Sequence, residues 1–69
     1  MNKLSARNQL KGRIVGIQTG VTTAHVHIDI GIGVVITASI TNEAVAELNL
    51  QEGTEAWAVI KASDVMIGV

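Results

Sequence analysis

The chain has 69 residues and a mass of 7.2 kDa, the size of one small domain. Five Lys and Arg against six Asp and Glu leave a net charge of −1 and a pI near 6.0, which argues against a nucleic-acid binder working through bulk positive charge. With no Cys, neither a disulfide framework nor a cysteine-ligated zinc can hold the fold together.

Nine Val, nine Ile and six Thr make up about a third of the chain, and such β-branched residues favour strands. The first predicted strand runs from about Gln9 to Gln18, with Ile14, Val15 and Ile17 at its heart. Thr19-Gly20-Val21-Thr22 supplies a turn. The second strand, Thr23 to Ile30, alternates: Ala24, Val26, Ile28 and Ile30 share one face, and Thr23, His25, His27 and Asp29 the other. Gly31-Ile32-Gly33 makes a tight connection to a third strand, Val34 to Ile40, in which Val34, Ile36, Ala38 and Ile40 oppose Val35, Thr37 and Ser39. The period then changes to that of a helix over Asn42 to Leu48. Thr41 or Asn42 is its cap, Glu43 lies in its first turn, and Val45 and Leu48 form its buried stripe. After a turn at Asn49, Glu52 and Gly53, a fourth strand spans Glu55 to Lys61, with Ala56, Ala58 and Ile60 opposite Trp57 and Val59. Ala62, Ser63 and Asp64 break it, and a fifth strand, Val65 to Val69, ends the chain. The order β-β-β-α-β-β predicts an all-β fold with one short helix, a five-stranded barrel of OB-fold type. Closure would remove exposed sheet edges. One domain covers residues 1–69, without repeat or linker.

The hydrophobic share is 48% and the mean hydropathy +0.42, high for a chain this short. A domain of this size buries only about 60% of its unfolded surface. Other copies of the chain are therefore expected to cover some of the apolar residues. The apolar run Ile28 to Ile36 contains Asp29 and is interrupted by Gly31 and Gly33, and it falls well short of the ~18 residues of a membrane span. The basic N-terminus lacks the apolar core of a signal peptide, so a soluble cytoplasmic protein is expected.

Little supports catalysis. No serine sits in a nucleophile elbow, the acids are dispersed, and Gly31-x-Gly33 precedes a strand where a phosphate loop would precede a helix. His25 and His27 point the same way on a strand, yet no third metal ligand accompanies them beyond Asp29. Solvent-facing residues or a subunit contact explain them as well. Single-stranded nucleic acid needs aromatic platforms and a basic groove, whereas Trp57 is the only aromatic residue. Charge is nonetheless uneven: Lys3, Arg7, Lys11 and Arg13 precede every acid, and the fifth cation is Lys61. The polar run Ser5-Ala6-Arg7-Asn8-Gln9, followed by Lys11, and the run Lys61-Ala62-Ser63 offer a guanidinium, an ammonium, hydroxyls and backbone N–H groups. These are the donors a small tetrahedral oxyanion requires. An ordinary solvated arm with an exposed lysine has the same composition.

Those two runs carry a family resemblance. Ser5-Ala6-Arg7-Asn8-Gln9-Leu10-Lys11-Gly12 resembles the opening motif of the Mop domain, and Val59-Ile60-Lys61-Ala62-Ser63-Asp64-Val65-Met66-Ile67 its closing motif. Gly20-Val21-Thr22-Thr23-Ala24, Ile40-Thr41, Ala44-Val45 and Leu48 also fit, so the likeness covers essentially the whole chain and points to the stand-alone molbindins. It implies an OB-type barrel assembled as a hexamer, a trimer of dimers, that binds molybdate or tungstate at subunit interfaces for intracellular molybdenum storage or homeostasis. By the same resemblance one class of oxyanion site falls on Ser5, Ala6, Arg7, Lys61, Ala62 and Ser63, with no direct cation ligands. A second class falls on the Gly20-Val21-Thr22 turn. Ile32 departs from the pattern, being more apolar than its connection leads one to expect. No nucleic-acid or membrane partner is implied. Two other functions compete with oxyanion storage: an oligomeric interaction module delivering molybdenum or molybdopterin to partner proteins, and binding of the molybdopterin cofactor itself. A single Trp makes a poor stacking surface for the latter.

Overall fold

The β-branched pattern is realised as a curled antiparallel sheet. The computed structural model describes residues 3–69 and contains strands β1 (Asn8–Thr19), β2 (Thr23–Asp29), β3 (Val35–Thr41) and β4 (Glu55–Ile60), with helix α1 (Asn42–Glu47) between β3 and β4. A short 3-10 turn, Ala62–Asp64, follows β4. The strand order is β3-β2-β1-β4.

The long β1 makes the curl possible. Its first half pairs with β4, from Asn8 opposite Ile60 to Arg13 opposite Glu55; its second half pairs with β2, from Arg13 opposite Asp29 to Thr19 opposite Ala24. Gly12 sits where the strands draw together. A Cβ there would stand 2.5 Å from the Asp29 carbonyl oxygen and 2.7 Å from Ile28 Cγ2, so only glycine admits the approach. The register with β2 slips between Ile14 and Gly16, leaving Val15 as a bulge. The extra residue lets Ile14 and Ile17, three apart, both turn inward, while Val15 is exposed.

The faces follow the alternation. Ile14, Ala24, Val26, Ile28 and Ala58 are buried, and Leu10, Ile17, Ile30, Ile36, Ala38, Ile40, Val45, Leu50 and Ala56 pack around the core cluster. Thr41 caps α1: its Oγ1 accepts a hydrogen bond from Ala44 N–H at 3.0 Å. At the other end Asn49 takes a left-handed φ of 53°. The Asn49 and Leu50 N–H groups donate to the carbonyls of Ala46 and Val45, a Schellman closure. That closure turns Leu50 toward the core and leaves Leu48 66% exposed, so the expected stripe of Val45 and Leu48 is corrected to Val45 followed by Leu50.

The expected five-stranded barrel is also corrected. The described residues form four strands, and Val65–Val69 is not one of them. Alternation shows that a segment can line an apolar face; it does not supply a partner edge. Both edges of β1 are occupied, and β3 and β4 are the outer strands. Between them lies a cavity of ≈730 Å³, lined in part by Ile14, Ile28, Ile36, Ile40, Leu50 and Ala58. Met66 and Ile67, 92% and 88% exposed, lie outside the core. No helix is long and apolar enough to cross a membrane among the described residues.

Candidate functional site

The two donor runs meet at one end of the β1–β4 ladder. Asn8 and Ile60 are its last register pair, and Asn8 Nδ2 donates to the Ile60 carbonyl at 3.2 Å, clamping the end. Arg7 and Lys61 are the next residues outward along the two chains. The structure thus brings Ser5-Ala6-Arg7 and Lys61-Ala62-Ser63, about 55 positions apart in sequence, to the same ladder end. Each run is held locally. Gln9 Nε2 donates to the Ala6 carbonyl at 3.0 Å, fixing the arm before β1. Asp64 N–H donates to the Lys61 carbonyl at 2.9 Å, closing the 3-10 turn that carries Ala62 and Ser63.

The electrostatics leave both cations available. The described residues contain one ion pair, Lys11–Glu55 at 3.2 Å between exposed side chains. Lys11, a member of the donor run in sequence, is therefore committed elsewhere. Arg13 is committed too, since its Nη1 donates to the Gly53 carbonyl at 2.6 Å. Arg7 and Lys61 are exposed and have no carboxylate partner among the described residues. The two runs beside this ladder end carry a forked guanidinium, a compact ammonium and the exposed Ser5 and Ser63, donor types suited to an oxyanion with several acceptor oxygens.

The Gly20-Val21-Thr22 turn is pinned to the start of α1. Gly20 N–H donates to the Thr23 carbonyl at 2.8 Å, and Asn42 N–H to the Thr22 carbonyl at 2.8 Å. Asn42 Nδ2 donates to the Gly20 carbonyl, also at 2.8 Å, and Val21 points into solvent. Asn42 Oδ1 is buried with no hydrogen-bond partner. The sequence marked Asn42 as a helix start and missed its role as the peg of this turn. A side-chain amide reaching back 22 residues leaves no trace in local spacing.

The histidines lie elsewhere. His27 Nδ1 is 3.2 Å from Thr37 Oγ1, and Asp29 Oδ1 accepts from Gly31 N–H at 2.8 Å. No group of three or more His, Cys, Asp or Glu side chains is placed to hold a metal among the described residues. The β2–β3 connection is a loop of left-handed residues, with φ of 88°, 53° and 75° at Gly31, Ile32 and Gly33. Ile32, a β-branched residue in that region, is 94% exposed.

Comparison with known proteins places this architecture. The TOBE domain model matches residues 4–67. A protein of Haemophilus influenzae described as a "Probable molybdenum-pterin-binding protein" is 57% identical over 67 residues, covering 97% of each chain. The structure of MopII from Clostridium pasteurianum superposes with a TM-score of 0.91 at 49% identity, over 97% of this chain and 100% of that one. The cytoplasmic molybdate-binding protein ModG, crystallised with molybdate bound, superposes with a TM-score of 0.94 at 50% identity, over 99% of this chain and 48% of ModG.

Proposed function

The chain belongs to the TOBE-domain family, and from that premise we propose that it binds molybdate or tungstate dianions at contacts between copies of itself, holding molybdenum in the cytoplasm without catalysis. The observation that carries this reading is the clamped end of the β1–β4 ladder, which sets Ser5-Ala6-Arg7 beside Lys61-Ala62-Ser63. Arg7 and Lys61 together carry two positive charges, matching a dianion. The hydroxyls of Ser5 and Ser63 and nearby backbone N–H groups supply uncharged donors. Charge-assisted bonds of this kind are about twice as strong as neutral ones.

One chain alone leaves the anion open to water, because both runs are exposed. A second copy would enclose it, and two features support such an assembly. The cavity between β3 and β4 is apolar and open, and Val65–Val69 carries alternating apolar side chains without a partner strand. The same segment on a neighbouring copy has the length and pattern to close the gap. In this reading the oligomer is a hexamer, a trimer of dimers, and the Gly20-Val21-Thr22 turn, held by Asn42, borders a second class of oxyanion site. The buried Asn42 Oδ1 accepts a donor from water or a neighbouring copy there.

Titration with molybdate, tungstate and sulfate, followed by native mass spectrometry and metal analysis, tests the reading. Saturable molybdate uptake at micromolar concentration by an intact oligomer is the expected result. No such uptake removes the function. Retention of an organic pterin in place of the bare oxyanion would transfer the site to the cofactor. Binding should also raise the stability of the assembly by mass action.

A further inference from the structure

On the outer face of the sheet, β2 presents His25 and His27, which the oxyanion reading does not use. Residues i and i+2 of a strand point the same way, with origins about 6.6 Å apart at a rise of 3.3 Å per residue. Two imidazole nitrogens bound to one metal ion at about 2.0–2.1 Å each lie about 3 Å apart, so the rings need only lean together. His27 is already oriented. Its Nδ1 lies 3.2 Å from Thr37 Oγ1, a contact that holds the ring; in the tautomer with the proton on Nδ1 the hydroxyl accepts, and the Nε2 lone pair is left for a ligand. Its ring also lies over Gly16, where a Cβ would stand 3.3 Å from His27 Cδ2. The register partners of the pair are Gly16 and Thr37 for His27, Gln18 and Ser39 for His25, none of them charged. No cross-strand cation therefore opposes a bound metal, and Gln18 and Ser39 offer oxygen atoms beside His25. Asp29 is turned to Gly31 N–H, so the protein supplies two nitrogens and the remaining positions fall to water or those oxygens.

We propose that His25 and His27 chelate a late first-row divalent cation, Cu²⁺ ahead of Ni²⁺ or Zn²⁺. This site is separate from the Arg7–Lys61 surface, which lies at the opposite end of β1, and it stands nearer the Gly20-Val21-Thr22 turn. The test is titration of the full-length, chelator-treated protein with Cu²⁺, followed by electron paramagnetic resonance, with and without molybdate. One Cu²⁺ per chain with coupling to two imidazole nitrogens is expected. The double variant His25→Gln/His27→Gln should bind Cu²⁺ at least tenfold more weakly while keeping the molybdate uptake that Arg7→Ala weakens, with its fold checked by circular dichroism. Thr37→Val should weaken binding by roughly tenfold, as expected for loss of the bond orienting a ligand. Equal Cu²⁺ affinity in the wild-type protein and the double variant overturns the site, as does a spectrum without histidine nitrogen. Unchanged affinity in Thr37→Val overturns the orienting role of that hydroxyl.

Discussion

The wall formed by β1 and β2 and the C-terminal segment Val65–Val69 use the same residue types and have opposite fates. On the wall, Ile14, Val26 and Ile28 are buried, because β1 pairs with β4 along its first half and with β2 along its second, curling the sheet over them at Gly12. Beyond the 3-10 turn, Val65, Met66, Ile67 and Val69 are as apolar and yet exposed. Side-chain hydrophobicity is equal in the two regions; what differs is whether the chain provides an edge to pair with. Burial in so small a domain is decided by backbone partners as much as by side chains.

The sharpest way to break the contrast is to delete residues 65–69. The truncated chain should keep its strand content by circular dichroism and lose its assembly by native mass spectrometry, since the segment contributes nothing to the core of its own chain. Retention of the full oligomer would show that the segment does not join copies. Gly12→Val attacks the wall instead. Its Cβ would meet the backbone of Asp29, which has little room to yield, and the expected loss is about 3 kcal/mol in urea denaturation. Arg7→Ala leaves both regions folded and removes charge-assisted hydrogen bonds. An anion affinity lower by about tenfold or more is expected, equivalent to 1.5–3 kcal/mol, read by calorimetry. Ile32→Asn, at the tip joining β2 to β3, replaces a β-branched residue at φ 53° with one that tolerates that conformation. It should stabilise the fold by about 1 kcal/mol, seen as a raised melting temperature. The smallest effect belongs to Glu55→Gln, which removes an exposed ion pair with Lys11 and should change stability by less than about 0.5 kcal/mol.

Strict alternation made the faces of β2, β3 and β4 legible. Val26 against His27, Ile36 against Thr37 and Ala58 against Trp57 separate inside from outside at a period of two. In β1 the bulge at Val15 broke that period, and which of Ile14, Val15 and Ile17 face inward emerged only from the register. Leu48 has helical spacing but falls at the cap, where the Asn49 closure passes the buried position to Leu50. The fifth strand was over-read because Val65, Ile67 and Val69 alternate without a partner edge in the same chain. The donor runs of the candidate site were visible as residue types. Their juxtaposition became physical through the Asn8–Ile60 pairing, and the withdrawal of Lys11 and Arg13 depended on Glu55 and the Gly53 carbonyl, more than 35 positions away in sequence.

The Asn8–Ile60 contact joins residues 52 apart, whereas β1, β2 and β3 form a meander of near neighbours. Loop-closure entropy places such a contact late in folding, after the meander has formed. The end that carries Arg7 and Lys61 is then expected to form after the rate-limiting barrier. If the proposed dianion binds at that end, it should accordingly slow the unfolding rate while leaving the refolding rate nearly unchanged, a ligand acting as a kinetic lock.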